Sequence, residues 1–599
     1  MNSITRISKI LTKREKINSF ILLFLMLTMA VLDSLGTASI MPFMAIISNP
    51  SLIKTNTYLN YFYKLLNFSN SKNFIYFLGI STFGIMLFSM FFKSFTTYLQ
   101  LRFTLMREYA IGGRLVRFYL NQPYEWFLNK NSSVLGKNIL SEIEKVINGS
   151  ILPLLQIISN TFIAFFILLL LVYVNYKLAI VIGIVFFLIY FLIYVFFKNY
   201  LTRIGKDNVI ANGLRFKIIN EAFSGIKDVK VLNVENIFLE QYKIPAINYA
   251  KNQSFSQVIG QLPRYLIETI AFGGIILLIL FLMYSGGQNI NTIIPVISLY
   301  VFAGYKMMPA LQQIYNNIIY FKYAQPALEN LYNEIKYFDN AIILDLQEDK
   351  LVFNNSIKLE NIIYSYPNTI KPAINKITLN IKAKSINGIV GYTGSGKTTL
   401  IDILLGLLEP QKGNFFIDNI PINKKNINKW RRSVGYVPQN IYLIDDTIES
   451  NIAFGIPKNK INKNALINAC KVADIYDFIT NELPNSFETQ VGERGIMLSG
   501  GQRQRIGIAR AIYHSPTILI LDEATSALDN ITEKNVMNAI KEISNEVTII
   551  IIAHRLTTIQ NCDQIFYLEK GELKSSGNYK QLLESNVEFN KMALLNNYE

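Results

Sequence analysis

Between Gly391 and Thr399 the chain reads GYTGSGKTT. Gly391, Gly394 and Gly396 let backbone N–H groups approach a polyphosphate, and the Lys397 ammonium reaches its outer phosphates. Thr398 offers a hydroxyl to Mg²⁺, Ser395 and Thr399 complete the cradle, and the helix that follows points its positive end at the phosphates. Further on, the apolar stretch TILILD ends in Asp522, a carboxylate suited to holding Mg²⁺ through water. The next residue, Glu523, is a candidate general base or water-orienting group. The loop by itself implies only ATP or GTP binding.

Such a loop must sit between a strand and a helix, and residues 351–599 read as a soluble α/β nucleotide-binding domain. Residues 1–330 differ. The 599-residue chain is 51% hydrophobic and only 17% charged, too apolar for an ordinary soluble protein. Runs near 19–47, 74–98, 151–173, 178–198, 264–284 and 290–311 can each cross ~30 Å of hydrocarbon, which predicts six transmembrane helices. Little more than Asn175-Tyr176-Lys177 joins runs three and four, so they form a tight helical hairpin. Ser285-Gly286-Gly287 joins runs five and six, and a linker spans 331–350.

Basic residues concentrate at the N-terminus and in segments 99–150 and 199–263, which places those segments and the ATPase half in the cytoplasm. The net charge of +16 therefore matches anionic lipid headgroups, and nucleic acid is not an expected partner. The two long cytoplasmic segments look helical, extending the membrane helices past the bilayer. Between spans one and two, Leu59, Phe62, Tyr63 and Leu66 make an apolar stripe. A short amphipathic helix near 55–68 is expected there, either on the outer membrane surface or packed as a loop helix. Within the spans lie Asp33, Lys93, Arg264, Glu268 and Lys306. The cations either line a hydrated cavity that attracts an anionic headgroup or serve structure, with Lys93 and Arg264 also placed to snorkel to the interface. Glu268 stands one turn from Arg264 and is placed to neutralise it. Cys470 and Cys562 suggest neither a disulfide framework nor a metal site, and the first apolar run is too long for a cleavable signal peptide.

After the phosphate loop comes LSGGQRQR, from Leu498 to Arg505, and just beyond it ILILDEATSALD, from Ile518 to Asp529. This ordered set resembles the ABC ATPases. The resemblance implies that Tyr366 stacks on adenine, that Gln439 touches Mg²⁺ and the attacking water, and that His554 is the switch histidine near the γ-phosphate. It also implies that Ser499, Gly500, Gly501, Gln502 and Asp529 meet ATP held by a second ATPase domain. One chain carries one such domain, so a second copy of itself is the expected partner, as a head-to-tail homodimer. Six spans followed by one ATPase domain, with TQVGERG at Thr489–Gly495, resemble a bacterial half-size ABC exporter of type I fold, a multi-pass inner-membrane translocase using ATP and Mg²⁺. Asp33–Phe43, Gln261–Glu268 and Ala303–Leu311 are similar to lipid-linked oligosaccharide flippases of the PglK type. That likeness implies an anionic amphipathic substrate, with Arg264, Lys306 and Lys93 facing a pyrophosphate. Lys93 and Lys306 stand where arginines are expected, so the charge is kept without the bidentate grip. A lipid A, multidrug or peptide exporter of the same fold is the alternative, and an ATP-gated channel a further one.

Overall fold

The computed structural model describes residues 3–284, 290–336, 350–367, 369, 371–524, 528–553 and 556–596. It divides into two compact units, one of residues Met1–Gln122 with Trp126–Ile343 and one of Pro123–Glu125 with Leu344–Glu599.

The first unit is helical. Lys13–Ala38 opens on a capping box, in which Thr12 and Glu15 each accept the other's backbone N–H, at 3.4 and 2.8 Å. Ser71–Leu120 runs for 50 residues, about 75 Å at ~1.5 Å per residue, far more than a bilayer needs. Thr82, Ser89, Thr96, Gln100 and Thr104 are buried along this helix, while Phe83, Phe88 and Phe91 are exposed. A helix polar inside and apolar outside is one solvated by lipid. Leu152–Ser224 is assigned as one helix, yet it doubles back: a Cβ at Gly183 would lie 3.6 Å from Leu168 Cδ1. Fifteen residues of straight helix would separate those positions by about 22 Å. Segments Lys13–Ser48, Ser71–Leu120, Ser132–Val174 and Phe186–Ser224 are each long and apolar enough to span a membrane. The runs expected at 264–284 and 290–311 fall in helices Glu235–Tyr284 and Ile290–Ile335. Most side chains from 270 to 300, and the Ser285-Gly286-Gly287 connection, lie outside the described residues, as does 337–349 of the expected linker.

The expected 55–68 helix resolves into Leu52–Thr55 and Thr57–Leu65, the latter capped by Asn56, whose side chain accepts from Tyr58 and Leu59. Its stripe divides. Leu59 and Tyr63 pack over Ile46, Ile53 and Phe74, whereas Phe62 is 52% and Leu66 43% exposed. An edge-on Tyr63–Phe74 contact at 5.3 Å ties the helix to the head of Ser71–Leu120, which turns Phe62 outward with Tyr58 and Tyr61.

The second unit holds two sheets. Strands β1 (Ser356–Tyr364), β2 (Ile374–Lys382), β4 (Lys412–Ile417) and β5 (Ile420–Pro421) form an antiparallel sheet ordered β2-β1-β4-β5. Strands β3 (Ile386–Val390), β6 (Val434–Val437), β7 (Ile518–Asp522), β8 (Thr548–Ile552), β9 (Gln564–Glu569) and β10 (Glu572–Gly577) form the other, ordered β10-β9-β3-β8-β7-β6. Strands β7 and β8 are buried at every position and paired parallel, which is why they read as unbroken Ile/Leu runs rather than as alternation. Between the sheets Trp430 is fully buried, edge-on to Phe353 and Phe415, with its indole N–H donated to the Leu404 carbonyl at 2.7 Å. Trp430→Ala is expected to destabilise this unit by about 3–5 kcal/mol, from cavity formation and one orphaned carbonyl. Urea-dependent protease protection of residues 350–596 in the full chain reads that loss, and an unchanged midpoint would contradict it.

Candidate functional site

Strand β3 hands over to the helix Lys397–Leu404 through residues 391–396. Gly391 is required by close approach: a Cβ there would meet the Leu568 carbonyl oxygen at 2.2 Å. Gly396 combines a φ of +101° with a would-be Cβ 2.8 Å from the Ala373 oxygen. Gly394 differs from both. It is exposed and has open space where a Cβ would stand, so only its φ of +78° calls for glycine. Ser395 is buried, and its hydroxyl has no hydrogen-bond partner among the described residues, an orphaned donor inside the loop. The Lys397 ammonium donates to the Gly391 and Tyr392 carbonyls at 2.7 and 3.1 Å. Burial pulls it below the usual lysine range, while the nearby Glu523 and Asp522 carboxylates push the other way. Thr398 is exposed, and Thr399 shares a hydrogen bond with the Tyr366 hydroxyl at 3.2 Å. Tyr366 thus stands beside the loop helix, edge-on to Tyr364 at 5.2 Å.

Pairing of β7 with β8 sets Asp522 opposite Ile552, and the Tyr436 hydroxyl donates to the Asp522 carboxylate at 3.4 Å. Glu523 follows with a φ of +48°, a left-handed conformation costing about 1–2 kcal/mol in a residue other than glycine. Its N–H donates to the Ile552 carbonyl at 3.1 Å, and its carboxylate accepts from Gln439 Nε2 at 2.7 Å. Two residues 84 positions apart are thereby brought into contact. Sequence reasoning missed Asp402, one helical turn beyond Thr398. Burial, with the Asp522 charge nearby, pushes its carboxyl up to about 6. The i, i+4 spacing from Thr398 was the available signal. Expected residue His554 lies outside the described residues.

Ser499 caps the helix Gly500–Tyr513 through a capping box with Gln502, at 3.2 and 2.8 Å, leaving the N–H groups of Gly500 and Gly501 at the helix mouth. Asp529 caps Asn530–Ile543, and the Thr532 N–H holds its carboxyl below the usual range.

In the first unit the cations are compensated. Lys306, with a side chain only 9% exposed, pairs with Asp33, which is 1% exposed and also lies 3.9 Å from Lys93 and 3.5 Å from the Ser89 hydroxyl. Arg264 pairs with Glu268 at 2.7 Å. Of the two roles expected for Lys306, this pairing matches the structural one. Asp33 neutralises it because an unpaired ammonium at that depth is too costly. Lys93 and Arg264 remain substantially exposed.

The ABC transporter family pattern matches residues 374–526, and the ABC transporter transmembrane region matches 17–310. The ATP-dependent lipid A-core flippase of Saccharophagus degradans is 33% identical over 77% of each chain. That of Methylobacillus flagellatus is 39% identical over 40% of each. A solved bacterial Atm1-family ABC exporter with ATP bound superposes with a TM-score of 0.75 over 97% of this chain and 98% of its own, at 22% identity, a likeness of fold. With a helical membrane unit and a phosphate-loop unit in this order, the chain belongs to the ABC transporter family, as a half-size exporter that couples ATP hydrolysis to transport.

Proposed function

We propose that this exporter is a lipid flippase that carries an anionic, lipid A-type glycolipid across the cytoplasmic membrane. The observation that carries this reading is a 33% identical relative named as a lipid A-core flippase, spanning 77% of both chains. The membrane charges suit an anionic headgroup without separating one phosphorylated lipid from another. With Lys306 matched by Asp33 and Arg264 by Glu268, the surplus charge of these five groups is a single positive one, shared with Lys93. The chain spans the inner membrane six times, with N-terminus and ATPase unit in the cytoplasm, and works as a head-to-tail homodimer.

In the ATP site, Lys397 and the backbone of residues 391–396 hold phosphates, with the exposed Gly394 free to let its N–H approach them, and Tyr366 meets the adenine. The hydroxyl of Thr398, the Gln439 amide and the Asp522 carboxylate form a hard oxygen donor set that fits Mg²⁺, which supplies charge neutralisation at the phosphates when bound. Glu523, aligned by Gln439, orients and deprotonates the attacking water, and His554 is assigned to the γ-phosphate on its sequence position alone. Ser499 to Gln502 and Asp529 face the nucleotide of the second copy, through a helix N-terminus whose N–H groups suit a γ-phosphate.

Glu523→Gln is expected to retain ATP binding while turnover falls by about 10²–10⁴-fold; near-normal hydrolysis would remove Glu523 from its role. Asp33→Asn, which strands Lys306, is expected to cost the membrane unit about 3–5 kcal/mol, largely recovered in Asp33→Asn/Lys306→Met. Thermal unfolding in detergent distinguishes that from a purely substrate-facing role, in which the single variant would unfold like the parent. In proteoliposomes, ATP-dependent movement of labelled lipid A that is lost in Glu523→Gln supports the proposed substrate. Movement of polyprenyl-pyrophosphate glycan alone would replace it.

A further inference from the structure

A cavity of about 320 Å³ lies within the first unit, lined by Lys145, Asn208, Ser256 and Tyr323 among others. It is not a product of loose packing. A Cβ at Gly149 would fall 2.4 Å from the Ala324 Cβ, and one at Gly205 only 2.3 Å from the Tyr323 carbonyl oxygen, so the surrounding helices touch backbone to backbone. Lys145 sits between two π-helical turns, Asn138–Glu142 and Ile147–Ile151, irregularities that re-aim side chains and recur at functional sites.

Two hydroxyls of the lining are orphaned. Ser256 is 1% exposed, and neither its Oγ nor the buried Tyr323 hydroxyl has a hydrogen-bond partner among the described residues. Buried hydroxyls are ordinarily paired, and two unpaired on one cavity mark a place where donors await an acceptor. The charge around them is cationic. Lys145 donates to Asn208 at 3.2 Å and lies 3.6 Å from Glu142, which Lys137 also approaches at 3.8 Å. Arg215 stacks over Tyr249 at 4.3 Å, and Lys145 stands 5.1 Å from the same ring. Lys137 and Lys145 thus face the buried carboxylate of Glu142, with Arg215 against the neighbouring Tyr249 ring, while Glu144 is turned to solvent. Lys145 precedes Ile151, the start of the third apolar run, by six residues, or about 9 Å along a helix. That depth is near the headgroup layer, which extends ~5–8 Å beyond the hydrocarbon on each side.

We propose that this cavity binds a phosphate group, with Lys145 as its counter-charge and the Ser256 and Tyr323 hydroxyls as donors. The phosphate belongs either to an inner-leaflet phospholipid headgroup or to free phosphate. The site is separate from Lys93, Arg264 and Lys306 and does not depend on the transported lipid.

Hydrogen–deuterium exchange of segments 253–257 and 320–327 in the full-length chain tests this. One arm adds inorganic phosphate in detergent; the other compares nanodiscs of phosphatidylcholine with nanodiscs containing increasing phosphatidylglycerol. Saturable protection in the first arm assigns free phosphate, and protection only in the second assigns the headgroup. Lys145→Gln should raise the half-saturating concentration about tenfold or more, with Lys145→Arg close to the parent. Ser256→Ala, which removes one hydroxyl and little volume, should raise it several-fold and carries the test if Lys145→Gln loses the parental thermal transition. No saturable protection in either arm, or half-saturation unchanged in the folded Lys145 and Ser256 variants, overturns the proposal.

Discussion

At Gly391 the chain passes so near strand β9 that any side chain would strike the Leu568 carbonyl, and the second unit is organised around that closeness. The turn after β9 folds onto the same loop: the Gly571 N–H donates to the Ser395 carbonyl at 3.0 Å, and its own carbonyl accepts from Asn375 at 2.7 Å. Asn375 belongs to β2, in the other sheet. The loop, the β9–β10 turn and the start of the antiparallel sheet are therefore one hydrogen-bonded knot, which fixes the loop's backbone. Preorganisation of this kind is what phosphoryl chemistry needs from a protein, since most of its stabilisation is electrostatic.

The first unit meets the opposite solvent. In hydrocarbon a helix satisfies its own backbone, so the expensive groups are ionisable side chains. The solution at Asp33 is local neutrality: a buried carboxylate from the first long helix meets Lys306 from the last and Lys93 from the second. The polar residues of Ser71–Leu120 follow the same rule, turning Thr96 and Thr104 inward while phenylalanines face lipid.

That neutrality bears on the substrate. The segments on which the expectation of an oligosaccharide lipid rested, Asp33–Phe43, Gln261–Glu268 and Ala303–Leu311, are the ones that contribute Asp33, Arg264 with Glu268, and Lys306. These residues have a structural task in pairing with one another. Their presence therefore discriminates weakly between one phosphorylated lipid and another, which is consistent with relatives named for lipid A.

The chemistry of the ATP site was legible in the residues, because a phosphate loop, a strand ending in Asp-Glu and the LSGGQ helix start are local features with fixed spacing. The long apolar runs and the reversal between Leu168 and Gly183 were legible for the same reason: each depends on a few neighbouring residues. Contacts between distant positions were not. Asp33 meets Lys306 across 273 residues, and Gln439 reaches Glu523 across 84. The stripe at Leu59 to Leu66 has one periodicity whichever face is buried, and only the Tyr63–Phe74 contact settled it. The lone-looking Lys145, Ser256 and Tyr323 became neighbours only where glycines let helices cross closely. Spacing along the chain determines which groups a segment offers; long-range packing determines which of them are paired, and so which remain open to a ligand.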